Sequence, residues 1–170
     1  DLLHVDFGIT YLRLNSDIQE HAYVLKPGEK DAPEYLKNAL AVGNRLQDIL
    51  TNQFALNKTG NAILKDALAQ AKKEGINATI YTHPIGSHGH AAGPTIGMWD
   101  MQNGVPGSGD YPMYYQTAYS IELNAAVEIK EWKKTIRIML EQDGYFDQNG
   151  FRYISGRQTK LHLVGNAGWQ

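Results

Sequence analysis

Ala118-Tyr119-Ser120-Ile121-Glu122-Leu123-Asn124-Ala125-Ala126-Val127-Glu128-Ile129 is the stretch on which the fold turns. Its Tyr, Ile, Leu and Val residues read as a strand. After Glu131-Trp132-Lys133, residues 135–146 have the same character, so the two segments read as strands around a short connection. Each carries a carboxylate among apolar neighbours: Glu122 lies between Ile121 and Leu123, and Glu141 follows Ile138-Met139-Leu140. A carboxylate taken out of water needs a partner charge or a metal.

Downstream, Asn149-Gly150 signals a hairpin turn before a strand from Phe151 to Ile154. Leu161 to Val164 reads as a last short strand or tail. Upstream, residues 84–112 are rich in Gly and Pro and read as a long active-site loop. Ala78 to Tyr81 is a short strand leading into His83. Before it come two amphipathic helices. One runs from about Asp31 to Phe54 with Leu36, Leu40, Val42, Leu46, Ile49 and Leu50 on its stripe, capped by Asp31 or a neighbour. The other runs from about Gly60 to Lys73, with Ile63, Leu64, Ala67, Leu68 and Ala71 on its stripe and Gly75 at its end. Residues 2–12 alternate as a strand, with Leu3, Val5, Phe7, Ile9 and Tyr11 on one face and His4 and Asp6 on the other. A turn at Leu14-Asn15-Ser16-Asp17 then returns the chain as a strand from Ile18 to Leu25, so that Asp6 and Asp17 lie on adjacent strands of a hairpin. Strands, two helices and more strands predict an α+β domain with a mostly antiparallel sheet, a single domain over residues 1–170.

The totals narrow the function classes. The chain has 170 residues, 42% of them hydrophobic, with a formal net charge of −2. That suffices for one ordinary core and argues against disorder. The Lys72-Lys73 and Lys133-Lys134 pairs are isolated, so no nucleic-acid footprint is expected. No apolar run reaches the roughly 18–20 residues of a membrane span. With no cysteine there is neither a disulfide framework nor a thiolate metal site. This suits a reducing compartment, cytoplasmic for example, without excluding the periplasm. The chain opens on Asp1 inside a strand-like run, with no signal peptide in view, and reads as part of something longer.

Five residues spread along the chain draw attention together: Asp6, Asp17, His83, Glu122 and Glu141. Singly, each has an ordinary reading. Asp6 serves as a strand-end acceptor, Asp17 as a turn residue, His83 as a polar group at a loop mouth, and Glu141 as a hairpin surface residue. Several carboxylates and an imidazole beside apolar strands suggest a shared site, and the number of anions suggests more than one cation. An oxygen-rich set with an imidazole suits Mn²⁺, Co²⁺, Fe²⁺ or Zn²⁺.

The order of these residues resembles the pita-bread metallopeptidases: methionine aminopeptidase, aminopeptidase P, prolidase and the non-metal creatinase. Val5-Asp6-Phe7-Gly8, followed eleven residues on by Ser16-Asp17, resembles the first two ligands of that family. His83-Pro84-Ile85-Gly86-Ser87-His88-Gly89-His90 resembles its His-Gly-Ile-Gly-x-x-x-His element. Tyr119-Ser120-Ile121-Glu122-Leu123 resembles Thr-Ile-Glu-Pro, and Leu140-Glu141-Gln142-Asp143 resembles the closing Ile-Glu-Asp. The resemblance implies a pita-bread fold, a curved and mostly antiparallel sheet flanked by helices. It implies two divalent ions, manganese foremost, with Asp6 on one, Asp17 and Glu141 bridging, and His83 and Glu122 completing the second. It implies a peptide substrate, with catalytic roles for His90, Glu122 and Glu141, and leaves room for a homodimer. His90 is favoured over His88 as the substrate histidine because the seven-residue step fits. Trp99, with Tyr111, Tyr114 and Tyr115, lines a substrate pocket or packs as ordinary aromatics.

The chain departs from that pattern in places. Pro84 replaces a glycine, His88 is additional, Glu122 is followed by Leu-Asn rather than Pro-Gly, and Arg137 is shifted relative to Glu141. Five residues precede Asp6, where the family places a substantial part of the same domain, so the N-terminal part of the domain is expected to be missing. Such a piece holds all five ligands with an incomplete groove, and alone it is not implied to be active. The preferred activity is cleavage before proline in peptides with an Xaa-Pro start. Three other readings stand beside it: methionine aminopeptidase-type activity, a pita-bread binding module without peptidase activity, and a domain whose carboxylates are surface charges.

Overall fold

A computed structural model describes residues 1–90 and 92–165. The elements are β1 (Leu2–Phe7), β2 (Thr10–Tyr11), β3 (Leu14–Asn15), β4 (Ile18–Val24), α1 (Glu34–Thr51), α2 (Gly60–Lys73), β5 (Asn77–Ile80), β6 (His83–Gly86), β7 (Gly89–His90), β8 (Thr117–Ser120), β9 (Leu123–Ile129), β10 (Lys134–Leu140), β11 (Asp143–Asp147), β12 (Gly150–Tyr153) and β13 (His162–Val164). The strands form ladders β1-β4-β13, β10-β9-β5, β12-β11-β8-β6-β7 and β2-β3. All of these pairings are antiparallel except β13 on β4.

Both helices follow their apolar periodicity. α1 buries Leu36, Ala39, Leu40, Leu46, Ile49 and Leu50, and α2 buries Ile63, Leu64, Ala67 and Ala71. They close over a sheet face that offers Ile80, Leu123, Ala125, Ile138 and Leu140. Each fully buried leucine or isoleucine contributes about 1.5–3 kcal/mol. α1 starts later than its pattern suggests, after Pro33, with no side-chain cap. Asp31 is occupied instead: its carboxylate accepts from the Ala32 amide and pairs with Lys37. Thr59 caps α2, accepting from the Ala62 amide.

The expected strand over 2–12 breaks at Gly8, and the chain reverses at Leu12-Arg13, not at Leu14–Asp17. Both turn residues have positive φ, 48° and 69°, which matches a two-residue hairpin loop. The faces of β1 and β4 are also unusual. The side that bears Leu3, Val5 and Phe7 is exposed, with Phe7 at 52%, whereas β4 turns Gln19, His21 and Tyr23 inward. Asp6 is itself exposed, so the argument from buried charge applies to Glu141, at 1% exposure, and not to Asp6.

The two long strands expected over 118–129 and 135–146 are each interrupted, at Ile121-Glu122 and at Glu141-Gln142. The register nevertheless carries across the break. Leu123 pairs with Leu140 and Ser120 with Asp143, which sets Glu122 opposite Glu141. The Ile121 amide still donates to the Gln142 carbonyl, at 2.9 Å. β5 and β6 are interrupted at the same level, between the pairs Ile80–Leu123 and His83–Ser120. Three neighbouring segments therefore change ladders together.

At Gly43 α1 lies close against the sheet. A Cβ there would lie 2.8 Å from Cγ2 of Ile138 and 2.9 Å from Cδ1 of Leu140. Gly43→Val is expected to lower stability by about 1–3 kcal/mol through overpacking, measured by urea denaturation. An unchanged midpoint would refute this packing.

Candidate metal centre

The strand register assembles the site in two rows on one face. Asp6 pairs with Gln19, Gln19 bridges to Glu141, Glu141 lies opposite Glu122, and the Tyr81 amide donates to the Glu122 carbonyl. Two residues along each strand, on the same face, come His83, Ser120, Asp143 and Asp17. His83 pairs with Ser120 and Ser120 with Asp143, and the Asp17 amide lies 3.4 Å from both Asp143 carboxylate oxygens. All five residues singled out from the sequence thus stand in two adjacent rows.

Their donor atoms converge. His83, Glu122 and Glu141 each offer a ligand atom within 4.8 Å of the others, as do Asp6, Asp17 and Glu141, and also Asp17, His83 and His90. Glu141 joins the first two groups. Nε2 of His83 lies 3.4 Å from Oε1 of Glu141 and 3.8 Å from Oε2 of Glu122.

The donor chemistry fits divalent cations. The His83 Nδ1 proton goes to the Pro84 carbonyl, at 2.9 Å, which leaves the Nε2 lone pair free. That nitrogen is buried without a hydrogen-bond partner, and it faces two carboxylates. Oxygen donors with imidazole suit first-row divalent ions.

The electrostatics reflect burial first and crowded anions second. Burial, then the neighbouring Glu141, push the Glu122 carboxyl up to about 8. Burial, then proximity to Asp17 and Glu141 (the Asp17 amide working against both), raises Asp143 to about 6. Asp6 and Asp17 are raised by burial first and Glu141 second. Burial works against a charged His83, but the Glu141 and Glu122 carboxylates and the Pro84 carbonyl outweigh it and raise its pKa.

Residues 84–112 are not one open loop. β6 and β7 form a hairpin around Ser87-His88, Thr82 bridges Ile96, and Met98 bridges Met101; Ala91 lies outside the described residues. The hairpin folds His90 back onto His83, with ring centroids 3.7 Å apart and planes at 25°. Burial first, and then the charge that His83 carries when protonated, lower the His90 pKa. His88 sits exposed at the turn and belongs to none of the donor groups. A groove of about 370 Å³ opens beside the centre, lined by Tyr81, His83, Pro84, His90, Thr95, Gly97, Met98, Trp99 and Glu122. Tyr111 and Tyr114 line a different groove, and Tyr115 packs on Phe146.

Sequence reasoning passed over the amides that hold the carboxylates. Gln19 Nε2 donates to Glu122 Oε1 at 2.6 Å and to Glu141 Oε2 at 2.8 Å. Ser120 Oγ donates to Glu141 Oε1 at 2.6 Å. Behind them, Gln47 donates to Gln142, Gln142 to the Gln19 carbonyl, and Gln158 brackets the His21 backbone. The available signal was alternation: Gln19 and His21 occupy the same face of β4 as the buried Tyr23.

No protein-family model and no curated protein matches the sequence. Solved structures do match in shape. An X-Pro aminopeptidase from Thermotoga maritima superposes with a TM-score of 0.71 at 18% identity, covering 96% of this chain and 42% of that one. An Xaa-Pro dipeptidase from Bacillus anthracis gives 0.66 at 18%, covering 96% and 41%. The N-terminal domain of the FACT complex subunit SPT16 from Eremothecium gossypii gives 0.72 at 12%, covering 96% and 36%. The chain has the α+β pita-bread fold of these structures and spans about two fifths of the length of the two peptidases.

His21 provides a test independent of the metal. Its Nε2 accepts from the Met139 amide and its Nδ1 donates to the Leu3 carbonyl, so the folded state needs the neutral ring. Burial lowers its pKa below 6.5. Protonation therefore favours the unfolded chain: the ring's contribution is complete above pH 6.5 and declines as pH falls below it. The stability advantage of wild type over His21→Asn is expected to shrink between pH 7 and pH 5, by at most about 1.4 kcal/mol per pH unit. Urea titrations at several pH values measure it, and a difference that grows on acidification would refute it.

Proposed function

We propose that this chain forms the metal-binding part of a dinuclear metallopeptidase that cleaves the bond between an N-terminal residue and proline, as an Xaa-Pro aminopeptidase or dipeptidase. The observation that carries the reading is the convergence of Asp6, Asp17, His83, Glu122 and Glu141 into two donor groups joined through Glu141. The names of the similar structures, an X-Pro aminopeptidase and an Xaa-Pro dipeptidase, support the reaction class.

On this reading Asp6, Asp17 and Glu141 would hold one ion and His83, Glu122 and Glu141 the other, with Asp17 shared between them as the resemblance implies and manganese the preferred metal. A pair of such ions, when bound, supplies Lewis acidity that polarises a carbonyl and makes water a nucleophile near neutral pH. The protein groups do the rest. Glu122 or Glu141 takes the proton from the attacking water and returns it to the leaving amine. His90 hydrogen-bonds the substrate carbonyl, where charge develops in the transition state. Pro84, Met98 and Trp99 give the adjoining groove an apolar wall for a substrate side chain or a proline ring.

A second reading keeps the fold and drops the chemistry. A domain of SPT16, by name a subunit of a complex, has the same fold, so a pita-bread module that binds protein or peptide stands as the alternative. The retained donor set argues for the peptidase.

Elemental analysis and hydrolysis of an Xaa-Pro dipeptide and tripeptide panel, on the protein that carries this chain, separate the two. Near-stoichiometric Mn, Co, Fe or Zn is expected, with activity lost on chelation. Glu122→Gln should lower kcat by about 10²–10⁴, and Glu141→Ala should abolish both metal retention and turnover. A folded, metal-free protein inert toward the whole panel would refute the peptidase.

A further inference from the structure

Each glutamate of the His83 group uses one carboxylate oxygen toward Gln19 and turns the other toward His83. Oε1 of Glu122 and Oε2 of Glu141 accept from the same Gln19 amide nitrogen, at 2.6 and 2.8 Å. The opposite oxygens, Oε2 of Glu122 and Oε1 of Glu141, are those 3.8 and 3.4 Å from His83 Nε2. One amide NH₂ thus sets the rotation of two carboxylates.

Gln19 is itself held at both ends. Its side chain is 3% exposed, and its backbone exchanges hydrogen bonds with Glu141, at 3.0 and 3.3 Å. Because its NH₂ faces two carboxylates, its Oε1 must accept, and His4 Nε2 lies 3.0 Å from that oxygen. His4 therefore donates through Nε2. The path runs from an exposed imidazole through one buried amide to both glutamates. Ser120 completes the satisfaction of Glu141 Oε1.

We propose that Gln19 is a positioning residue of the metal centre: its amide clamps the outer oxygens of Glu122 and Glu141 and presents their inner oxygens beside His83, with His4 fixing the amide's orientation. The proposal rests on the metal-centre reading above. Groups that orient metal ligands typically change metal affinity by about 10–100-fold when removed. The clamp also lessens the repulsion between two facing carboxylates by placing two N–H donors between them.

The test uses the full chain and Mn²⁺ as the probe, with binding followed by titration calorimetry and folding checked by circular dichroism. Gln19→Met keeps the side chain's length and removes its donors, and it should weaken Mn²⁺ binding by about 10–100-fold. His4→Phe should weaken it by a smaller factor, and His4→Gln, which retains an N–H donor, should restore it. A merely structural role for these side chains would not give that rescue. A second measurement needs neither metal nor variant Gln19. In the ¹⁵N-labelled metal-free chain, the Gln19 side-chain NH₂ protons should resonate downfield and exchange slowly, and Glu122→Ala should shift them. An unchanged Mn²⁺ constant in a folded Gln19→Met chain, or a freely exchanging Gln19 amide, overturns the clamp alone. A wild-type chain that takes up no Mn²⁺ overturns the metal-centre reading and the clamp together.

Discussion

Two facing carboxylates, Glu122 and Glu141, set the terms for the middle of this structure. Like charges directly opposite one another in an antiparallel ladder repel, and Glu141 is almost wholly buried. The surroundings answer that repulsion in a definite order. Gln19 places an amide NH₂ on both, Ser120 adds a hydroxyl to Glu141, and the His83 ring stands against the remaining oxygens. Burial first, and then the repulsion from Glu141 that these groups leave unresolved, push the Glu122 carboxyl up to about 8. A divalent cation between the oxygens and Nε2 would remove that residue of repulsion in place of the proton that the Glu122 carboxyl otherwise holds.

The helices and the sheet register are what keep the two glutamates facing. α1 and α2 lock β5, β9 and β10 from one side through their apolar stripes. The register then propagates unchanged into β6, β8 and β11, although all three chains change ladders at the same level. Because side chains in a strand alternate with a period of two, a slip of one residue in any of these strands would turn its ligand to the opposite face. The site therefore depends on packing by residues distant in sequence: Ile138 and Leu140, which lead into Glu141, sit against Gly43 of α1.

This also explains what the amino-acid sequence could and could not disclose. The apolar periods of α1 and α2 and the β11–β12 hairpin at Asn149-Gly150 are local features, readable from residue types and spacing, whereas the five candidate ligands stand out only through their order along the chain and its resemblance to a known family. The interruptions at Glu122 and Glu141 are not local. Ile121 and Leu123 look like continuous strand, and only the arrival of β4 beside Glu141 and of β5 and β6 beside Glu122 makes the break. Alternation with Tyr23 could place Gln19 on the inward face of β4, but its partners, Glu122 and Glu141, come from other strands and are not local. The outward face of Leu3, Val5 and Phe7 likewise reverses a local expectation, because His21 and Gln19 are drawn inward by Met139, Gln158, Glu122 and Glu141.

Fold similarity by itself does not choose between chemistry and recognition. A domain of SPT16 and an X-Pro aminopeptidase superpose on this chain equally well, with TM-scores of 0.72 and 0.71, so the backbone is neutral between them. The choice falls to side chains, and here the argument is one of cost. A module with no use for cations gains nothing from two opposed glutamates, a histidine whose buried Nε2 lacks a partner, and a glutamine committed to both carboxylates. Replacing such a cluster with apolar residues of similar volume is commonly neutral or stabilising. Holding it together in a well-packed sheet is intelligible when the cluster binds something of opposite charge.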